Sequence, residues 1–185
     1  VEGVGRNPDV LIDFSLPSGA VAAARWCAQN SVPMVSGTTG LDSTHEKMLD
    51  EAAKRVAVLH AANFSPGLNA MLGALVHLGQ WLPDVEVATV TDVHHVHKKD
   101  SPSGTALALA RALKPLAPRV ESRREGEVIG EHIVRLDLPG ETLSIAHSAT
   151  DRSVFARGAL QAAGWLMEQP PGRYQATDWI MGQWS

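Results

Sequence analysis

Val32-Pro33-Met34-Val35-Ser36, closed by Gly37-Thr38-Thr39-Gly40, decides the fold. The run is short, apolar and continuous rather than alternating, which marks a strand buried on both faces. Upstream, Ala20 to Gln29 is alanine-rich and reads as a helix with Ser18 as its N-cap. Before it, Val10-Leu11-Ile12-Asp13-Phe14 is a second apolar run, broken by Ser15-Leu16-Pro17-Ser18-Gly19. Downstream, Ser43 or Thr44 caps a helix running to Arg55. Val56 to Ala62 is then a third strand, ended by Asn63-Phe64-Ser65-Pro66-Gly67. This β-α-β-α-β series predicts a parallel sheet covered by helices on both sides, with right-handed crossovers.

The pattern changes after residue 65. Asn69 to Leu82 reads as an apolar helix, and Val85 to Val93 alternates as a strand of a more open sheet does. Ser103 caps a helix to Leu113. Ile133 to Leu138 and Thr142 to His147 alternate around Pro139-Gly140-Glu141, a hairpin signal. Ser153 to Glu168 is a last amphipathic helix. The chain therefore reads as two lobes meeting near residue 65, the second of mixed or antiparallel α+β type. Trp26, Trp81 and Trp165 read as core anchors, and Trp179 and Trp184 as residues that pack the tail.

Composition narrows the function. The 185 residues carry a net charge of −4 and no basic stripe, which argues against a nucleic-acid partner. A single cysteine, Cys27, excludes a disulfide framework and a multi-cysteine metal site. No apolar run is long enough to span a bilayer, and Val1-Glu2-Gly3 does not open a signal peptide. A cytoplasmic protein without a membrane partner is the expectation.

The chemistry concentrates at two places. In open α/β sheets ligands bind outside the carboxyl ends of the strands. There stand Phe14-Ser15, Gly37-Thr38-Thr39-Gly40 and Ala62-Asn63-Phe64, with glycines, hydroxyls and two flat rings suited to a planar polar ligand such as nicotinamide. The same residues also describe ordinary β-α turns. A G-x-G-x-x-G fingerprint is not formed by Gly3-Val4-Gly5, and no P-loop is present.

The second place is His94-His95-Val96-His97-Lys98-Lys99-Asp100-Ser101-Pro102-Ser103-Gly104-Thr105. Ser103, Gly104 and Thr105 open a helix, whose free N–H groups and dipole favour an anion. Lys98 and the histidines upstream offer positive charge and protons. Together they describe a carboxylate pocket with an acid beside it. Two other readings compete: a solvated turn, and a metal site of His94, His95 and His97 with Asp92. Neither H-E-x-x-H nor a cysteine accompanies those histidines, so no metal is expected. His60 reads as a packing residue, and no partner is evident for His132 or His147.

The ordered set Val10 to Ser15, Ser36 to Gly40, Ala61 to Ser65 and His94 to Ala106 resembles the dihydrodipicolinate reductase family. The H-H-x-x-K followed by S-G-T-A is its most specific part. The resemblance implies a partial Rossmann-like nucleotide domain over residues 1–65 and an α+β substrate and oligomerisation domain over 66–149. It also implies a C-terminal segment over 150–185 that returns to the nucleotide domain. It implies reduction of a small cyclic imine dicarboxylate by NADH or NADPH in lysine and diaminopimelate biosynthesis. His94 resembles the catalytic proton donor and acceptor, and Lys98 the second donor. His95, Gly104 and Thr105 resemble substrate-binding residues. The cofactor-side residues are Phe14, Ser15, Gly37, Thr38, Thr39, Ala61, Ala62, Asn63 and Phe64. A homo-oligomer, a tetramer in the family, is also implied.

Two departures stand out. The family's strand and G-x-G-x-x-G segment do not precede Val10, which would leave an unpaired strand edge and no visible donor for the pyrophosphate. Between Leu113 and His132 only Arg124 to His132 matches the family's longer excursion. The first departure motivates a competing expectation: a non-catalytic dicarboxylate-binding protein that has lost dinucleotide binding.

Overall fold

A computed structural model describes residues 8–182. They form two compact units, one running through Phe64 and resuming at Phe155, the other Ser65–Val154.

The first unit contains β1 (Leu11–Asp13), α1 (Pro17–Asn30), β2 (Met34–Ser36), α2 (Ser43–Ala53) and β3 (Ala57–His60). Its sheet is parallel throughout, in the order β1-β2-β3-β8, where β8 is Gly172–Tyr174. Side chains alternate along a strand, so each strand supplies both faces. Met34 and Val58 point to α1 and α2 and pack with Ala24, Cys27, Leu49 and Ala53. Val35 and Leu59 point the other way, to Ala159, Ala162 and Leu166 of a later helix and to Trp179. Both faces are covered, which is why these strands carry no polar alternation. Burying each Val, Leu or Met is worth about 1.5–3 kcal/mol.

The helix starts differ from the expectation in their caps. Pro17 opens α1 behind Leu16, and Ser18 lies inside the helix; proline's fixed φ supplies the start. Asp42, not Ser43 or Thr44, caps α2. Its carboxylate accepts the N–H groups of Thr44 and His45, and the His45 ring returns to the Asp42 N–H.

The second unit contains α3 (Pro66–Trp81), β4 (Val87–His94), α4 (Gly104–Ala112), β5 (Arg119–Arg124), β6 (Glu131–Leu138) and β7 (Glu141–Ser148). Its sheet runs β5-β4-β6-β7, parallel only between β4 and β5. Leu68, Leu75, Leu109 and Leu113 of the helices cover Ala88, Val90, Val134 and Leu136 on one face. The helices approach closely at Gly79, where an added Cβ would lie 2.7 Å from the Leu113 carbonyl oxygen. The hairpin turns at Gly140, at φ +80°, a conformation that glycine adopts without strain.

The remaining elements are α5 (Ser153–Leu166) and α6 (Ala176–Gly182). The sequence reading missed β5, β8 and α6. Trp179 is fully buried in α6, whereas Trp81 is 69 % exposed, stacked on His77 at the end of α3 rather than anchoring a core. Trp184 and Gly3-Val4-Gly5 lie outside the described residues. Among the described residues, no helix is long and apolar enough to cross a membrane.

Candidate active site

In the first unit the strand-end loops gather around Asp13, a residue the sequence reading passed over. Its buried carboxylate accepts from Ser36 Oγ at 2.9 Å, Thr38 Oγ1 at 2.8 Å and the Ser15 N–H at 3.1 Å, and from the Ser15 hydroxyl. Burial alone pushes this carboxyl upward. The hydrogen bonds from Ser15, Thr38 and Ser36 outweigh it and hold the group below the usual carboxylate range. Thr38 is thereby committed to the fold, and its hydroxyl is turned inward. Phe64 is likewise a core residue, 1 % exposed and packed on Trp179, so its ring presents no open face. Ala61 is also buried.

Phe14 is different. It is 56 % exposed, leans on Phe64 at 5.6 Å, and covers Gly37, where an added Cβ would fall 2.2 Å from the ring. Ser15, Thr39 and Ala62 are exposed beside the strand ends, and Asn63 is half-buried. An exposed ring, a glycine beneath it and open strand-end backbone thus lie together at this edge of the sheet. His60 is held by structure: its Nε2 meets the Thr38 carbonyl at 2.8 Å.

The second unit builds a denser site, and strand register explains it. Asp92 pairs with His132 across β4 and β6, and His132 pairs with His147 across β6 and β7. His94 lies two residues beyond Asp92 and so shares its face. All four stand at the end of the sheet face that α3 and α4 cover. Each helix adds its N-cap to the row. Ser103 accepts the Ala106 N–H while donating its hydroxyl to Asp92 Oδ1 at 2.6 Å. Ser65 accepts the Leu68 N–H and shares a 2.9 Å hydrogen bond with His147 Nε2. The cap expected at Ser103 thus holds the site as well as starting the helix.

Asp92 is fully buried and is the hub. Arg124 Nη1 lies 3.3 Å from Oδ2, and the Ser103 N–H reaches the same oxygen at 3.3 Å. His94 Nδ1 stands 2.9 Å from Oδ1, out of line for a directed hydrogen bond, and His132 Nε2 stands 3.5 Å from it. Burial pushes the Asp92 carboxyl up. The bond from Ser103, the His94 ring and Arg124 overcome this and hold it below the usual range. His94 moves the same way for a different reason. Burial lowers it, Asp92 opposes, and Lys98 and Arg124 add to the lowering. It is therefore neutral at pH 7.

The loop after β4 carries the rest. Lys98 Nζ lies 2.9 Å from Asp100 Oδ1, and the Gly104 N–H also engages the Asp100 carboxylate. Gly104, expected at a ligand's carboxylate, and Lys98, expected to offer charge and a proton, thus both engage a carboxylate of the chain itself. Arg124 donates to the Asp100 carbonyl. Thr105 is half-buried in the first turn of α4. His95 faces His97 at 6.3 Å in this loop.

The competing metal reading needs His95 and His97 on one face of a strand. The strand ends at His94, and both lie in the loop that follows. Among the described residues the grouping with metal-like spacing is Asp92, His94 and His132, with ligand atoms within 4.8 Å. Ser103 Oγ and Arg124 Nη1 each engage one oxygen of Asp92. Asp92 entered the sequence reading only as a metal ligand, and Arg124, His132, His147 and Ser65 were not assigned to the site, because they stand on separate elements of the chain. The signal that finds them is the hairpin register, which sets His132 opposite His147.

The profile described as "Dihydrodipicolinate reductase, C-terminus" matches residues 67–180, and "Dihydrodipicolinate reductase, N-terminus" matches residues 1–64. The 4-hydroxy-tetrahydrodipicolinate reductase of Xanthomonas euvesicatoria pv. vesicatoria (strain 85-10) is 42 % identical over 175 residues, covering 94 % of this chain and 73 % of that protein. The protein of that name from Xylella fastidiosa (strain M12) matches with the same identity and coverage. A dipicolinate-bound dihydrodipicolinate reductase from Paenisporosarcina sp. TG-14 shares the fold, with a TM-score of 0.79 and 21 % identity over 91 % of this chain and 72 % of that one. An amine dehydrogenase from Mycobacterium smegmatis shares it more loosely, with a TM-score of 0.56 and 11 % identity over 92 % and 75 %. With both profiles and the two reductases at 42 % identity in agreement over nearly its whole length, the chain belongs to the dihydrodipicolinate reductase family.

Proposed function

We propose that the chain reduces 4-hydroxy-tetrahydrodipicolinate to tetrahydrodipicolinate in lysine and diaminopimelate biosynthesis, with NADH or NADPH giving the hydride, a proton completing the reduction and the 4-hydroxyl leaving as water. The observation that carries this is the second unit's site: a neutral His94 held at Asp92, with Lys98 and the first turn of α4 close by in sequence. A reduced nicotinamide, when bound, supplies the hydride. The chain must then bind two carboxylates, hold the ring and move protons.

Gly104 and Thr105 present N–H groups at the positive end of α4, where a substrate carboxylate replaces Asp100. His95 supports the same ligand. Lys98 Nζ, released from Asp100, carries a proton to the reduced ring. With Asp92 at its Nδ1 side, His94 offers Nε2 for proton transfer. Phe14, Ser15, Gly37, Thr38, Thr39, Ala61, Ala62, Asn63 and Phe64 form the cofactor side, through the exposed ring and backbone described above. On this reading residues 1–65 with 150–185 serve the cofactor and residues 66–149 the substrate. With a biosynthetic role of this kind we infer a cytoplasmic enzyme.

Calorimetric titration with pyridine-2,6-dicarboxylate and, separately, with NADH and NADPH tests the reading. We expect the dicarboxylate and at least one cofactor to bind. Lys98→Ala should weaken the dicarboxylate by about tenfold while leaving the cofactor unchanged. Binding of the dicarboxylate with neither dinucleotide would reject the reductase in favour of a dicarboxylate-binding protein.

A further inference from the structure

We propose that His132 is a positioning residue: it fixes the ring of His94 by closing one edge of it and by sharing with it Oδ1 of Asp92. The proposal rests on the reading that His94 moves a proton during the reaction.

Three observations carry it. The His132 ring meets His94 edge-on, with centroids 5.2 Å apart and planes at 73°. Its Nε2 lies 3.5 Å from the carboxylate oxygen that His94 Nδ1 approaches at 2.9 Å. Its burial is nearly complete, at 2 % exposure, and neither ring nitrogen makes a directed hydrogen bond among the described residues. A polar ring is costly to bury without partners, so its retention at this spot calls for a role. Gly130 completes the enclosure, since an added Cβ there would stand 3.1 Å from His94 Nε2 and 3.7 Å from His132 Cε1.

His132 is itself held from behind. His147 packs against it at 6.0 Å between centroids and is tied to Ser65, the cap of α3. The sheet and the start of α3 thus converge on one imidazole. The charged and titratable groups around the pair are Asp92 on β4, Lys98 and Asp100 on the following loop, Arg124 on β5 and His147 on β7. Burial comes first in lowering His132, followed by His94, so His132 stays neutral and packs without adding charge. Removing it opens the His94 ring to water and frees it to rotate.

The test uses the full chain labelled with ¹⁵N in its histidine rings. In the unmodified protein His94 should show one tautomer, protonated on Nδ1, and titrate below the ordinary histidine range. In His132→Ala its ring shifts should average between tautomers and its titration midpoint should rise. The kcat should fall about tenfold or more, with KM for the imine dicarboxylate changed less than about threefold. His132→Gln sets an amide nitrogen near the place of Nε2 and should restore both the tautomer and most of kcat. It also serves as the comparison if the alanine variant fails to fold, because His132→Asn, whose amide stops short of Asp92, should then reproduce the defect. Unchanged His94 shifts and midpoint in a folded His132→Ala or His132→Asn protein overturn the proposal. Altered shifts with an unchanged kcat would uphold the positioning and instead remove His94 from the chemistry.

Discussion

Acidification should weaken the second unit through His132, by an amount its environment sets. Burial, with help from the neighbouring His94, pushes its midpoint from the ordinary 6.5 down to about 4. The unfolded chain therefore takes up a proton at pH values where the folded one refuses it. Stability is complete above 6.5 and is lost as pH falls toward 4. At about 1.4 kcal/mol per unit, the loss from His132 alone reaches roughly 3 kcal/mol at pH 4, and about 2 kcal/mol is gone by pH 5. His94 and His147 are also lowered by burial, so the total loss is larger. Comparison with His132→Gln isolates the one residue, because the amide does not titrate. Urea unfolding at pH 7.5 and pH 4.5, followed through the backbone amide NMR signals of β4 and β6, gives the free energies. The advantage of the unmodified chain over the variant should shrink by about 2–3 kcal/mol between the two pH values. A difference constant to within about 0.5 kcal/mol would refute the burial argument.

Three further outcomes follow from the geometry. Asp92→Asn removes the charge that Arg124, Ser103 and His94 converge on, and should lower stability by about 2–3 kcal/mol in urea unfolding at pH 7. Asp92 is lowered in the fold, so its contribution is complete above 3.8 and fades below it; a variant as stable as the parent at pH 7 would contradict the hub role. Gly79→Ala drives a methyl toward the Leu113 carbonyl oxygen at 2.7 Å, which is backbone and cannot swing away. Despite alanine's better helix propensity, the thermal midpoint should fall, by about 1–2 kcal/mol of stability. Asp100→Asn frees Lys98 and the Gly104 N–H from the chain's own carboxylate, and should tighten pyridine-2,6-dicarboxylate binding by a few-fold in calorimetry. A tenfold weakening would mean that Asp100 builds the pocket rather than filling it.

The parallel sheet was legible because its strands are apolar without alternation: Met34 and Val35 face opposite helix layers, so neither position can be polar. The hairpin was legible for the opposite reason, its alternation around Gly140. β5 was missed because Arg119-Val120-Glu121-Ser122-Arg123-Arg124 has few apolar residues, and its pairing comes from the neighbouring β4. Three residues are too few for a period to show in β8. At the site, His94, Lys98 and Ser103 stand in one continuous motif and could be read directly. Asp92 lies just outside it, and Arg124, His132 and His147 come from other strands. Only the register across β5, β4, β6 and β7 brings them to one end of the sheet. Thr38 and Phe64 show the reverse: their places at strand ends marked them as ligand contacts, yet their side chains are committed to Asp13 and to Trp179.

Turnover tests the central claim most directly. Oxidation of NADH and of NADPH should be followed with enzymatically generated 4-hydroxy-tetrahydrodipicolinate, for the chain and for His94→Ala and Lys98→Ala. Substrate-dependent oxidation should appear with at least one cofactor, and each substitution should lower kcat by about a hundredfold or more. No oxidation with either cofactor, or rates undiminished in both variants, would contradict the account.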